Sequence, residues 1–277
     1  MTDIPTPDRV FPTADEAADV ARHGVHTAQT MHPAYNLAFQ DLDFLLRPDL
    51  RPVRFQLELL KPELLLDEAR IASMLVFYGS ARIPEPGIAS THADPAVAAS
   101  LDAKSRYYAE ARKLAALASQ TPLDAQGRRH FVVCSGGGPS IMEAANRGAT
   151  DVGAESVGLN IVLPHEQAPN SFVTPGLSFQ FHYFALRKMH FLLRARAVAV
   201  FPGGFGTFDE TFELLTLIQT GKIKPMPILM FGREFWNRVV NFDALVEEGV
   251  VSAQDLQLMQ FVDSAEEAWA IVRAFYA

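Results

Sequence analysis

The chain has 277 residues, 49% of them apolar and 20% charged, and a net charge of −8. That composition supports a sizeable core, argues against disorder and makes a non-specific nucleic-acid binder a poor fit. A single cysteine, Cys134, excludes an internal disulfide and a cysteine zinc cluster, so a reducing compartment is expected. MTDIPTPDRV at the amino terminus lacks the apolar core of a signal peptide, and no stretch approaches the roughly 18 apolar residues of a membrane span. The expectation is a soluble, cytoplasmic protein without membrane or nucleic-acid partners.

Met1–Pro12 is polar and proline-punctuated and reads as a mobile arm. Thr13-Ala14-Asp15-Glu16 reads as a capping box opening a helix to about Thr30. Helical segments follow near Tyr35–Leu46 and Phe55–Ile71. The second holds Leu57, Leu59, Leu60, Leu64, Leu65 and Leu66, too apolar for a solvated helix, so it should pack on the main body or on another subunit. Residues 1–70 are therefore read as an arm and helical extension, and residues 71–277 as the main domain.

Met74–Tyr78 is the first apolar run of strand length, and Gly79-Ser80 follows directly. Ligands of open parallel sheets gather beyond the carboxyl ends of strands, so Gly79 and Ser80 either wall a ligand site or make an ordinary turn. Arg82 could reach a phosphate bidentately, although a surface arginine is the favoured reading. After a loop over Pro84–Pro95 and a helix over Ala96–Gln120, Phe131–Cys134 is the second strand, with Cys134 a buried, inert thiol. Gly136-Gly137-Gly138-Pro139 then turns into a helix. No Gly-Lys-Ser/Thr follows it, so it is not a Walker A loop. Ile141 stands where a dinucleotide fingerprint needs its third glycine.

Ser156–Leu163 and Phe179–Phe181 read as further strands, with a loop over Pro164–Asn170 between them. His182 and His190 have no common metal-ligand spacing, and no metal is expected. Ala197–Phe201 is a buried strand ended by Pro202-Gly203-Gly204-Phe205-Gly206, and Thr207 opens the next helix. A glycine turn between a buried strand and a helix start is suited to hold phosphate. The same residues also form a potential capping box, Thr207-x-x-Glu210, and local chemistry alone favours that structural role for Glu210. Met226–Phe231 is another strand, and Glu234–Glu247 and Ala265–Ala277 are helices. The alternation of strand and helix predicts an α/β fold, a doubly wound parallel sheet with an added N-terminal helical layer.

Pro202-Gly203-Gly204-Phe205-Gly206-Thr207-Phe208-Asp209-Glu210 resembles the PGGxGTxxE signature of the Lonely Guy (LOG) family, whose members are often labelled "possible lysine decarboxylase". Arg187-Lys188, fifteen residues before Pro202, resembles the family's Arg-Lys pair. The run from Gly136 through Ala149 is similar to its GGGPGIMEAANRGA, with Ser140 in place of a glycine. The resemblance covers roughly Met74 to Phe261 and leaves the first seventy or so residues unexplained. It implies a Rossmann-like nucleotide-binding catalytic domain that hydrolyses the N-glycosidic bond of a nucleoside 5′-monophosphate, of purine or cytokinin type, to free base and ribose 5-phosphate. Arg187 and Glu210 would be catalytic. Gly79, Ser80, Gly136, Gly137, Gly138, Lys188, Gly203, Gly204, Gly206 and Thr207 would bind substrate. Glu143 and Asn146 would face the site, and the loop at Pro164–Asn170 would lie over it. Homo-oligomers and no cofactor are implied.

Two other readings remain. Related Rossmann-like proteins carry a phosphorylated cofactor such as molybdenum cofactor without chemistry, which needs no Arg187 and Glu210 together. A lysine decarboxylase would need a pyridoxal Schiff-base lysine, and no lysine here has that context.

Overall fold

The computed structural model describes residues 11–164 and 168–277. Residues 1–10 of the expected arm and 165–167 of the expected loop lie outside the described residues. Two compact units form along the chain, one ending at Leu57 and one spanning Glu58–Ala277. The first contains α1 (Ala14–Arg22), α2 (Leu42–Leu45) and the opening of α3 (Arg51–Glu68). The Thr13–Glu16 capping box is present in both directions, but α1 ends at Arg22 rather than near Thr30. Between Tyr35 and Leu46, where one helix was expected, only a 3₁₀ turn at Pro33–Tyr35 and the four-residue α2 form.

In the second unit the order is β1 (Met74–Tyr78), α4 (Pro95–Asp102), α5 (Ser105–Ser119), β2 (Val132–Ser135), α6 (Ile141–Asp151), β3 (Val157–Ile161) and β4 (Ser178–Phe181). It continues through α7 (Phe184–Leu193), β5 (Ala195–Val200), α8 (Phe205–Gln219), β6 (Ile228–Phe231), α9 (Arg233–Val239), α10 (Phe242–Glu247), β7 (Met259–Val262) and α11 (Ala265–Phe275). The seven strands form one sheet in the order β4-β3-β2-β1-β5-β6-β7, with every adjacent pair parallel. This is the doubly wound α/β sheet expected.

The central strands β1, β2 and β6 are buried along their whole length, as helices on both faces require. Alternate residues serve opposite cores. Leu75, Phe77, Val133, Ala199 and Leu229 pack against α5, α6 and α11. Met74, Val76, Cys134, Val198 and Met230 face a cluster containing Leu66, Phe191, Leu214 and Trp236 from α3, α7, α8 and α9. Leu66 and the half-buried Leu65 thus join the core, whereas Leu60 and Leu64 stay 52% and 58% exposed, so only one side of the leucine-rich helix packs within this unit.

Two expected helices divide. The helix over Ala96–Gln120 is two, separated at Ala103-Lys104. The one over Glu234–Glu247 breaks where Asn241 caps α10 by accepting the Ala244 N–H. Strand β7 was not anticipated: Met259–Val262 is only four residues long and follows a 3₁₀ turn without a glycine or proline boundary.

Helices α5 and α6 approach so closely that a Cβ at Gly148 would strike the Arg112 carbonyl and lie 2.8 Å from Ala115 Cβ. Alanine is the better helix former by about 1 kcal/mol, but overpacking against backbone costs about 1–3 kcal/mol. Gly148→Ala should therefore lower stability by about 2 kcal/mol in urea unfolding. A gain would show that the two helices can spread.

Candidate active site

The sheet order reverses between β1 and β5, and ligands of such sheets bind in the crevice beyond this switch point. The two strand ends are tied together there: Phe201 N–H donates to Tyr78 C=O at 2.8 Å, and Ser80 N–H to Pro202 C=O at 3.0 Å. A cleft of about 930 Å³ opens above them. Gly79, Ser80, Gly136, Gly204, Gly206 and Thr207 line it together with Arg187 and Glu210. Eight of the twelve expected site residues therefore share one cavity.

The phosphate-suited turn differs locally from expectation. Helix α8 starts at Phe205 with Gly204 as its N-cap, and no side chain caps it. Thr207 is already inside the first turn and buried, and Glu210 lies in the second turn, so the Thr207–Glu210 capping box does not form. The uncapped start leaves first-turn N–H groups of α8 without a protein side-chain acceptor, beside the cleft. Gly203 is required for a steric reason: a Cβ there would run into the Thr207 side chain. Nothing stands within 4 Å of a Cβ at Gly204 or Gly206, so these two leave the cleft side of the turn open.

Freed from capping, Glu210 accepts from Arg187 Nη1 at 3.2 Å. Arg187 Nε donates to the Leu159 C=O at 2.7 Å, and the guanidinium sits 4.9 Å from the Phe191 ring centroid. Three elements, β3, α7 and α8, thus define one side-chain pose. The two side chains are 10% and 13% exposed. Burial pushes the Glu210 carboxyl up to about 7; Arg187 opposes that rise and Asp209 adds to it. A carboxyl poised near neutrality can accept or release a proton at working pH. Burial likewise pushes the Tyr78 hydroxyl, on the same wall, well above its usual range, so it stays neutral.

The other expected residues lie outside the lining. Gly137 has φ +75°, and a Cβ there would collide with the Asn160 amide. The Gly137 and Gly138 carbonyls accept from Asn170 Nδ2 at 3.1 and 2.9 Å, so these glycines shape the loop behind Gly136. Lys188 points to α8, pairing with Asp209 at 3.1 Å and Glu213 at 2.8 Å. Glu143 and Asn146 do not face the cleft. Glu143 accepts from Tyr108 on α5, and fully buried Asn146 bonds Ser135 and Ser156. Ser140 takes φ +64° and donates its hydroxyl to the Ile83 C=O at 2.5 Å, so its bond is spent inside the protein.

Sequence reasoning missed the apolar wall, formed by Met142, Ile161, Leu163, Phe184, Phe191, Phe205, Phe208 and Val239. Most of these residues read as core. A signal was present for Phe205, a phenylalanine set between two turn glycines, and in the structure it is 96% exposed.

A doubly wound α/β fold with an uncapped glycine turn, a buried Arg–Glu pair and a cleft at the switch point defines a Rossmann-like protein with a candidate ligand site. Residues 142–272 match the family model described as "Possible lysine decarboxylase". The chain is 27% identical over 139 residues to a probable cytokinin riboside 5′-monophosphate phosphoribohydrolase, LOG4, of Oryza sativa subsp. japonica, covering 49% of this chain and 59% of that protein. It is 24% identical over 147 residues to cytokinin riboside 5′-monophosphate phosphoribohydrolase LOG2 of Arabidopsis thaliana, covering 52% and 68%. These matches support, at modest identity, a place in the LOG family for this region of the chain. It is also similar to the molybdenum cofactor binding protein of Rippkaea orientalis, at 16% identity and a TM-score of 0.44, covering 74% of this chain and 98% of that one.

A Cβ at Gly136 would lie 2.6 Å from Arg187 Nη2 and 2.8 Å from Met142 Sδ. Both obstacles are ends of flexible side chains, so Gly136→Ala should fold with near-parental thermal stability while displacing the guanidinium. The expected result in a crystal structure of the variant is an Arg187–Glu210 separation longer than the parental 3.2 Å. An unchanged pair would remove Gly136 as a determinant of its pose.

Proposed function

We propose that the unit Glu58–Ala277 hydrolyses the N-glycosidic bond of a nucleoside 5′-monophosphate, releasing the base and ribose 5-phosphate. The observation that carries this reading is the buried Glu210 carboxylate, paired with Arg187 and lining the same cleft as the uncapped start of α8. The substrate phosphate is assigned to the α8 N-terminus, where Gly204 and Gly206 allow close approach and Thr207 supplies a hydroxyl. The ribose then extends towards Glu210, one helical turn beyond Thr207, and the base lies against the apolar wall.

Cleavage of the C1′–N bond leaves positive charge on the ribose, as in glycoside hydrolysis. Glu210 offsets that charge and takes a proton from the attacking water, whose oxygen forms the new bond to C1′. Arg187 holds the Glu210 carboxylate in place and offers its remaining N–H groups to substrate oxygens. No lysine lines the cleft among the described residues, which argues against Schiff-base chemistry there and so against a literal lysine decarboxylase. The purine or cytokinin nature of the base, and self-association, stay part of the proposal.

Incubation with a panel of nucleoside 5′-monophosphates, including isopentenyl-adenosine monophosphate, tests the reading. Chromatography should show free base released by the parent. Glu210→Gln should lower kcat by about 10²-fold or more while leaving nucleotide binding within a few-fold. Full activity in that variant would refute the assignment. No release from any substrate, with tight retention of a phosphorylated cofactor, would make the protein a carrier instead.

The pH profile follows from the Glu210 carboxyl standing at about 7. As a base it works when ionised, so kcat/KM should fall as pH drops through about 7. A limb at the ordinary carboxylate range near 4–5 would show that another group supplies the base.

A further inference from the structure

Helix α3 contains Pro62 in its interior. Proline has no N–H, so the carbonyl four residues earlier, that of Glu58, loses its helical partner. His190 of α7 takes that place, with its Nε2 3.2 Å from the Glu58 oxygen. The imidazole is almost fully buried, and burial holds it below its usual range, so it is neutral and donates from Nε2. A residue that would ordinarily weaken a helix here creates a docking point for another one.

The Glu58 side chain meets the start of the same helix. Its two oxygens accept from His182 N–H at 3.0 Å and Tyr183 N–H at 3.2 Å, immediately before the first turn of α7, where negative charge also suits the helix dipole. Tyr183 is the N-cap and contributes no side-chain cap of its own. Its carbonyl accepts the first helical bond of α7, and the donor is the Arg187 N–H, at 3.1 Å. Glu58 therefore grips the N–H of the residue whose carbonyl accepts from Arg187. At the far end of α7, Arg194 Nη2 bonds Glu63 at 2.9 Å and Asp67 at 2.8 Å.

We propose that the Glu58–Glu68 half of α3 is a positioning element of the cleft, in which Glu58, by holding the backbone N–H groups on the near side of Tyr183, sets the pose of Arg187 against Glu210. It clamps α7 at both ends and reaches none of the reacting atoms. The consequence for turnover rests on the hydrolase reading above; the consequence for the pair does not.

The ionisation of Glu210 reports the pose directly. The charges acting on it are Arg187 and Lys188, which favour its charged form, and Asp209, which disfavours it. Only Arg187 sits on the backbone segment gripped by Glu58 and also touches Glu210. The test is a ¹³C NMR titration of the Glu210 side-chain carboxyl, assigned with Glu210→Gln, in the full chain and in Glu58→Ala and Glu58→Gln.

Loosening Arg187 removes a charge that stabilises the carboxylate, so Glu58→Ala should move the Glu210 midpoint up by about 1 pH unit. Glu58→Gln keeps one acceptor for the two N–H groups and should shift it less, in the same direction. Were Glu58→Ala too unstable to purify, the Glu58→Gln shift decides alone. Midpoints equal to the parent's would overturn the proposal, since lost stability by itself leaves the titration of the folded protein unmoved. Turnover of the parent is measured alongside: a silent parent would sink the hydrolase reading and leave the titration to judge the clamp.

Discussion

Holding a carboxylate and a guanidinium together at the edge of an apolar core is the constraint on which the rest of the site depends. Desolvation of such a pair can exceed its Coulombic gain, so the pair is poor evidence of stability and better evidence of use. The surroundings meet the cost with specific partners. Arg187 finds the Leu159 carbonyl and the face of Phe191, and Gly136 leaves the room that any Cβ would take. Glu210 receives one arginine bond, and its carboxyl remains near neutrality because burial outweighs that bond. A weaker burial would leave a permanently ionised acid; a stronger one would leave a neutral acid unable to act as a base at working pH.

The sheet was legible because its strands are short apolar runs bounded by glycine, proline and polar residues, from Met74–Tyr78 through Ile228–Phe231. β7 was not, since its four residues Met259–Val262 follow a 3₁₀ turn with no glycine or proline to mark where the strand begins. In the site, glycines that open space and glycines that fill tight corners look alike in sequence. Gly204 and Gly206 face the cleft, while Gly137 serves the loop behind it, and only three-dimensional neighbours separate the cases. Glu210 was ambiguous for a definable reason. Moving the helix start from Thr207 to Phe205 shifts it from a capping position to the second turn, and helix starts are uncertain by a residue or two from sequence alone.

Pro62 shows a different limit. Within a leucine-rich helical run it reads as an interruption, yet the freed Glu58 carbonyl is taken by a histidine more than a hundred residues further along the chain. Neither half of that interaction carries a local signal. His182 and His190 were considered only as metal ligands, a reading their spacing disfavoured, and the role His190 has is that of a buried neutral donor.

The hydrolase reading makes one chemical demand that follows from the lining. Two-carboxylate glycosidases divide the work, one group protonating the leaving group and the other assisting attack. Here Glu210 is the sole carboxylate lining the cleft among the described residues, and the neighbouring Tyr78 hydroxyl is held neutral. A single carboxyl poised near 7 can resolve this by taking the proton from water and then giving it to the departing base, provided water and base occupy its reach in turn. The departing nitrogen carries delocalised negative charge, which lowers the demand for full protonation at the moment of bond cleavage. A base able to spread that charge, such as a purine, therefore fits a one-carboxylate site better than an alkoxide leaving group would. Under the hydrolase reading that preference favours a nucleoside substrate, and the apolar wall around Phe205 and Phe184 would choose among bases.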